Sequence, residues 1–295
     1  MSVASEALSA VAEHTGRTPS GARPLGGGDA AQAFEVRFDD GTTVFAKTAP
    51  ADMPGALRAE AASLDWLAEP ASVPVPAVHG HDEHWLVTEH VESASPTPEA
   101  AEDLGRGLAR LHAAGAPAHG APPPGGPTDA WIGLAPMRNE PVAEWPSFYA
   151  AHRIEPYLRR AVDSGVMDTA ESAVIGQVCA RIDDLAGPAE PAARLHGDLW
   201  TGNVHWGDDG TGTRAWLIDP AAHGGHRETD LAMLQLFGCP HLERVLGAYE
   251  EVAPLAPGWR DRVGLHQLFP LLVHAVLFGR GYATRAVTVA RSALG

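Results

Sequence analysis

Lysine is almost missing from this sequence: of 21 basic residues in 295, one is a lysine, at position 47, and the others are arginines. A chain so biased toward arginine has kept a lysine there, which directs attention to it. Cysteine is nearly as scarce. Cys179 and Cys239 lie far apart, with no Cys-x-x-Cys and no histidine at ligand spacing, which excludes a zinc site and a disulfide framework and leaves two small buried hydrophobes. No apolar run reaches the ~20 residues that cross a bilayer, and the longest, around Leu265 to Leu277, is interrupted by His266, Pro270 and His274. The N-terminus has neither the basic nor the apolar region of a secretory signal, so a cytoplasmic protein is expected. Positive charge is in deficit. Thirty-seven acidic residues against 21 basic ones give a formal net charge of −16, which repels nucleic acid and anionic membranes and makes amine-bearing ligands easier to host.

The length and the 45% of hydrophobic residues suit one large or two closely packed domains. Ser2 to His14 suits a helix. Ala33 to Phe38 and Thr42 to Thr48 read as strands joined by the Asp39-Asp40-Gly41 turn. Pro54 opens a helix to about Ala68, Pro70 to Pro76 is a rigid connector, and strands follow at Val75 to His79 and Trp85 to Glu89. From Pro98 the pattern is helical, apart from a Pro/Gly-rich loop at Ala116 to Pro127 and a strand pair near Asn203 to Trp206 and Ala215 to Ile218. The expected division is a small sheet lobe over residues 1–92 and a mainly helical lobe over 93–295.

Within the helix that Pro54 opens, Leu57, Ala61, Leu64, Leu67 and Ala68 form one apolar stripe, and Glu60 falls inside it. A carboxylate facing a core needs a cation. Either Lys47 on the preceding strand supplies it or Glu60 reaches solvent beside Arg58 or Arg106. Gly26-Gly27-Gly28, before the strand that leads to Lys47, is either a flexible turn or a loop whose backbone approaches phosphate oxygens. In Leu195-His196-Gly197-Asp198-Leu199-Trp200-Thr201-Gly202-Asn203, Asp198 and Asn203 have the Asp-Leu-x-x-x-Asn spacing of a kinase catalytic loop. One carboxylate there accepts the proton of an attacking hydroxyl, and an amide oxygen a short loop away holds magnesium. Asp219 closes the apolar strand Trp216-Leu217-Ile218, the place of a second metal ligand.

With Trp200 after Asp198, with Asp219-Pro220-Ala221 followed by Gly225-His226-Arg227-Glu228-Thr229-Asp230-Leu231-Ala232, and with further matches such as Trp145-Pro146-Ser147-Phe148-Tyr149, His152-Arg153 and Gln267-Leu268-Phe269, the sequence resembles the fructosamine kinases over nearly its whole length. That family is a branch of the aminoglycoside phosphotransferase and choline kinase group. The resemblance implies an α+β, protein-kinase-like two-lobed fold and ATP-dependent phosphorylation of the 3-hydroxyl of a ketosamine, free or on a protein. It also implies roles. Gly26, Gly27, Gly28 and Lys47 meet the phosphates, with Glu60 pairing Lys47. Glu89, His90 and Val91 form the adenine hinge, Asp198 is the base, and Asn203 and Asp219 hold Mg²⁺. Trp200 and His274 belong to the sugar pocket, although Trp200 as a core wedge is the competing reading. The loop Gly26 to Ala30 lacks the cysteine that some relatives carry, and Ala275 stands where some have an aromatic after the His274 position. Alternatives are an aminoglycoside or choline phosphotransferase, or an inactive nucleotide-binding module.

Overall fold

Apolar residues alternate along Ala33–Phe38 (β2) and Thr43–Lys47 (β3), so one face of their hairpin can be buried while the other carries chemistry. In the computed structural model, which describes residues 2–26 and 31–295, these strands join Pro19–Leu25 (β1), Val78–His81 (β4) and Leu86–Glu89 (β5) in an antiparallel sheet ordered β1-β2-β3-β5-β4. The helix Val3–Thr15 (α1), capped by the Ser2 hydroxyl and ended by Gly16 in the left-handed conformation, packs Ala7, Ala10 and Val11 on the face made by Phe34, Val36, Val44 and Val87. Ala56–Ala68 (α2) covers part of the opposite face, where Leu57, Ala61 and Leu64 meet Leu86. Each buried leucine there contributes roughly 1.5–3 kcal/mol of hydrophobic stabilisation. β1 has no counterpart in the sequence reading. Its PSGARPL sequence lacks an apolar face and contains prolines, which an edge strand tolerates and a central one does not.

The remainder is mainly helical: Pro98–Ala113 (α3), the run Trp145–Phe148 (α4), Tyr149–Ile154 (a π-helical turn) and Glu155–Asp163 (α5), then Thr169–Ala180 (α6), Ile182–Leu185 (α7), Glu228–Phe237 (α8), Leu242–Val252 (α9), Trp259–Phe278 (α10) and Arg280–Leu294 (α11). No described helix is long and apolar enough to cross a membrane. Strands Val204–Asp208 (β9) and Thr213–Leu217 (β10) pair as expected from the sequence. Two small pairs were not expected, Asp129–Ile132 (β6) with Ala135–Arg138 (β7), and Ala193–Leu195 (β8) with His223–Gly225 (β11). They are three or four residues long, too short for a periodic signal. Cys179 and Cys239 are free and half-buried, each packed at the margin of a core cluster.

Pro270 inside α10 cannot donate a hydrogen bond to the His266 carbonyl. The Tyr149 hydroxyl donates to that carbonyl instead, at 2.9 Å, tying the π-helical turn to α10. Nearby, Arg262 grips buried Glu228 through Nη2–Oε1 at 2.5 Å and Nε–Oε2 at 3.0 Å, with His266 Nε2 at 3.3 Å and His226 alongside. This His-Glu-His cluster has a metal-like composition, but both carboxylate oxygens already serve a guanidinium, which supplies the compensating charge.

Removing that charge has a calculable cost. Glu228→Gln leaves Arg262 buried without a counter-ion and should lower stability at neutral pH by about 3–5 kcal/mol in chemical denaturation. Burial pushes the Glu228 carboxyl up, but its bonds to His266 and Arg262 prevail and bring it from 4.5 down to about 2. A depressed carboxyl stabilises the fold fully above its ordinary value and loses that contribution as pH falls through its folded value. The gap between wild type and Glu228→Gln should therefore narrow as pH drops from 4.5 toward 2. A gap that is constant over this window would show that Glu228 is not the ionised partner.

Candidate active site

Lys47 ends β3 on the sheet face that α2 covers, and Glu60 projects from the second turn of α2 toward it. The Nζ–Oε2 distance is 2.7 Å, so Glu60 takes the lysine rather than solvent. Asp219, two residues beyond the end of β10, approaches the same ammonium at 2.6 Å. Its φ of 51° lies in the left-handed region, which aspartate tolerates better than most side chains and which turns the carboxylate back toward Lys47. Burial works against the ammonium, yet Asp219 and Glu60 together raise its pKa above the ordinary lysine value. Glu60 is pushed up to about 7 by burial, in spite of Lys47 and with Asp219 adding to the shift. Asp219 is held below its ordinary value, chiefly by Lys47. The three groups form one shared ionic cluster with Asp219 as its most firmly ionised acid.

The loop after β8 is built from one-way hydrogen bonds. At Gly197, φ is 83° and a Cβ would lie 2.1 Å from the Ala221 carbonyl oxygen, so the chain turns there only with glycine. The fully buried Asp230 on α8 accepts the backbone N–H groups of His196 (2.8 Å) and Gly197 (3.0 Å). It is steadied in turn by His112 Nε2 at 3.3 Å, whose Nδ1 meets the Tyr249 hydroxyl at 2.9 Å. His196 Nε2 lies 3.0 Å from the Ile218 carbonyl, which can only accept, so that nitrogen carries the proton and Nδ1 receives the Asp198 N–H at 3.3 Å. Burial keeps His196 neutral by lowering its pKa. Asn203 donates from Nδ2 to the Asp198 backbone carbonyl (2.8 Å) and to Asp198 Oδ2 (3.1 Å), which leaves its amide oxygen for another partner. Burial raises Asp198 to about 7 against the Asn203 hydrogen bond, with Asp219 and Asp230 adding to the shift.

A cavity of about 580 Å³ brings Lys47, Glu60, Asp198, Trp200, Asn203, Asp219 and His274 together. Its charged lining residues are Lys47, Glu60, Asp198 and Asp219, and most of the rest are apolar, with Met53, Leu57, Trp131, Leu134, Phe237 and Phe278 among them. Trp200 is 37% exposed and meets Phe237 edge-on at 6.0 Å, a wall position and not a core wedge. His274 bonds the Pro270 carbonyl through Nδ1 at 2.8 Å, so Nδ1 carries the proton and Nε2 is an acceptor. Ala275 is fully buried and does not line the cavity, so the missing aromatic does not alter its wall directly. Glu89, His90 and Val91 lie outside this lining. The Val91 carbonyl accepts from His205 Nε2 at 3.1 Å, and the His90 ring sits between Thr43 and buried Glu35. Gly26 is exposed after β1, and Gly27 and Gly28 fall outside the described residues. Sequence reasoning gave Asp230, Phe237 and Phe278 no role, although Asp230 stands in the quoted Gly225 to Ala232 match.

The sequence profile described as fructosamine kinase matches residues 2–295. The chain belongs to the fructosamine kinase family. It is 34% identical over 262 residues to a Thermus thermophilus protein named a probable ketoamine kinase, covering 88% of this chain and 89% of that protein. An Arabidopsis thaliana protein named protein-ribulosamine 3-kinase, chloroplastic, is 30% identical over 274 residues, 90% of this chain and 80% of its own length. The crystal structure of a candidate fructosamine-3-kinase from Thermobifida fusca YX-ER1 matches with a TM-score of 0.90 at 50% identity, covering 97% of this chain and 98% of that one. An aminoglycoside phosphotransferase shares the fold, with a TM-score of 0.62 at 19% identity over 98% of this chain and 99% of that one. Membership makes this chain an ATP-dependent kinase, and the Lys47 cluster lines the cavity described above.

If Lys47 and Glu60 act as a unit, Lys47→Met and Glu60→Gln should each raise KM for ATP, and the double variant should be little worse than the poorer single one. Strict additivity in the double-mutant cycle would sink the coupling.

Proposed function

We propose that this chain transfers the γ-phosphoryl group of ATP to the 3-hydroxyl of a ketosamine, with ribulosamine, erythrulosamine or fructosamine adducts as the acceptor class. The phosphorylated adduct then decomposes and releases its amine, so the activity is deglycation. The observation that carries the reading is Asp198: a carboxylate lifted by burial to about 7, in one cavity with Lys47 and an aromatic wall. A general base is most effective when its pKa lies near the working pH. In this reading Asp198 Oδ accepts the proton of the attacking hydroxyl, and Asn203, bonded to Oδ2, keeps the carboxylate turned toward the acceptor. Lys47 orients the phosphates while Glu60 holds the ammonium in place. Trp200 offers an indole face to a sugar or to its amine, a contact contributing about 0.5–2 kcal/mol for a cation.

The donor set at the loop suits magnesium, since Asn203 is anchored through its amide nitrogen and Asp219 adds a carboxylate, both hard oxygen ligands. When bound there, magnesium offsets the phosphate charge. Residues 1–92 and 93–295 act as the two lobes, with Gly26 to Gly28 on the phosphates and the Glu89-His90-Val91 backbone at the adenine. The acceptor is a small-molecule or protein-bound ketosamine, and the net charge of −16 disfavours nucleic acid.

With ribulosamine as acceptor, Asp198→Asn should lower kcat by roughly 10²–10⁴-fold and leave ATP affinity near wild type. Retention of more than about a tenth of the wild-type rate would remove Asp198 from the role of base. A wild-type enzyme that phosphorylates kanamycin or choline but no ketosamine would overturn the acceptor while leaving the base in place.

A further inference from the structure

Arg153 is fully buried, 1% exposed, and among the described residues the ionisable groups that act on it are Tyr149, Tyr157 and His223, with no carboxylate. An unpaired buried charge is strongly unfavourable. Its guanidinium lies over the Phe148 ring at 4.6 Å and bonds the Arg138 carbonyl at 2.9 Å and the His152 carbonyl at 3.2 Å through Nη1. The remaining bond is Nη2 to Asn139 Oδ1, 2.6 Å long and charge-assisted. Burial lowers the guanidinium to about 10, so it stays protonated at neutral pH.

That bond decides which way the Asn139 amide faces. A guanidinium can only donate, so the amide oxygen must meet it and Nδ2, with its two protons, must point away. Asn139 follows β7, its backbone N–H is anchored on the Thr128 carbonyl at 2.7 Å, and the residue, itself 1% exposed, is among those lining the cavity that holds Asp198 and Trp200. Among the described residues Nδ2 has no hydrogen-bond partner. Most of the cavity's lining residues are apolar, and the Ser63 hydroxyl, also in the lining, is already committed to the Ala59 carbonyl at 2.7 Å. An oriented, unused donor in an apolar wall invites a ligand oxygen, and a positive charge behind the amide strengthens the donor by polarising it.

We infer that Asn139 is an acceptor-binding residue, donating from Nδ2 to a sugar oxygen of the ketosamine other than the one phosphorylated, and that Arg153 is its positioning residue. The inference rests on the ketosamine reading above. It explains why a buried charge without a counter-ion is retained: an aspartate or glutamate beside Arg153 would neutralise it but would take the guanidinium from Asn139 and release the amide to flip.

The decisive variant is Asn139→Asp, whose carboxylate pairs with Arg153 and so keeps the fold while removing the donor. Its Tm should be at or above wild type, KM for a ribulosamine should rise about tenfold as for one lost buried hydrogen bond, and KM for ATP should not move. Analogues lacking one sugar oxygen at a time then identify the contact. Wild type should lose about tenfold in kcat/KM on one analogue, and Asn139→Asp should not distinguish that analogue from the parent. Arg153→Lys keeps the charge but not the fork, so it should raise acceptor KM alone and add little on top of Asn139→Asp. Asn139→Asp with wild-type acceptor KM, a parallel rise in both KM values, or equal losses on every analogue in both enzymes would overturn the contact. A wild type inert to every ketosamine would overturn the contact and the acceptor reading together, whereas the other failures leave the acceptor reading standing.

Discussion

One ammonium holds the site together. Lys47 bridges Glu60 on α2 at 2.7 Å and Asp219 after β10 at 2.6 Å, contacts that close a loop of more than a hundred residues between the sheet and the β9 to β10 strand pair. Glu60 depends on it most: burial already brings that carboxyl to about 7 in its presence, with Asp219 adding to the shift. The placement of α2 against the sheet, the left-handed turn at Asp219 and the reach of the Asp198 loop all converge on this cluster. A chain with one lysine has put it where an arginine fork would fit two separate carboxylates less well than a compact ammonium does.

Around that cluster, orientation comes from partners that can play one role only. The Ile218 carbonyl sets the proton on His196, the Pro270 carbonyl sets it on His274, and the Asp198 carbonyl and carboxylate turn the Asn203 amide. Arg153 does the same to Asn139 from the opposite side. Asp230 joins these local constraints by taking two loop N–H groups at once, and His112 and Tyr249 extend the network to α3 and α9. Such chains of satisfied buried groups favour one geometry strongly, because any member that turned would strand another without a partner.

The elements that position the cluster were legible in the sequence for physical reasons. Glu60 inside the stripe of Leu57, Ala61 and Leu64 contradicts amphipathic periodicity unless a cation meets it, and that contradiction pointed to Lys47. The spacing from Asp198 to Asn203 is a short-range constraint, set by the loop alone. Asn139 and Arg153 were not legible in the same way. Their bond crosses 14 residues through a π-helical turn that no periodicity announces, and a buried arginine without a carboxylate looks in sequence like any surface arginine. β1 was missed because its sequence carries no alternating apolar face, and the β6 to β7 and β8 to β11 pairs because three or four residues are too few to show a period, the latter pair also joining residues distant in the chain. The aromatic wall of Phe237 and Phe278 escaped notice for a related cause: these residues end two separate helices, α8 and α10, and their rings flank His274 only in the folded chain.

The central claim is that this cavity directs ATP's γ-phosphoryl to one hydroxyl of a sugar-amine adduct. The most direct measurement is the position of the phosphate in the isolated product, read by phosphorus–proton correlation NMR after incubating the wild-type chain with ATP, magnesium and a ribulosamine. Phosphate coupled to the proton on C3, formed in step with ADP, is the expected result. Phosphate on another carbon, or ADP released with the ribulosamine unchanged, would contradict it.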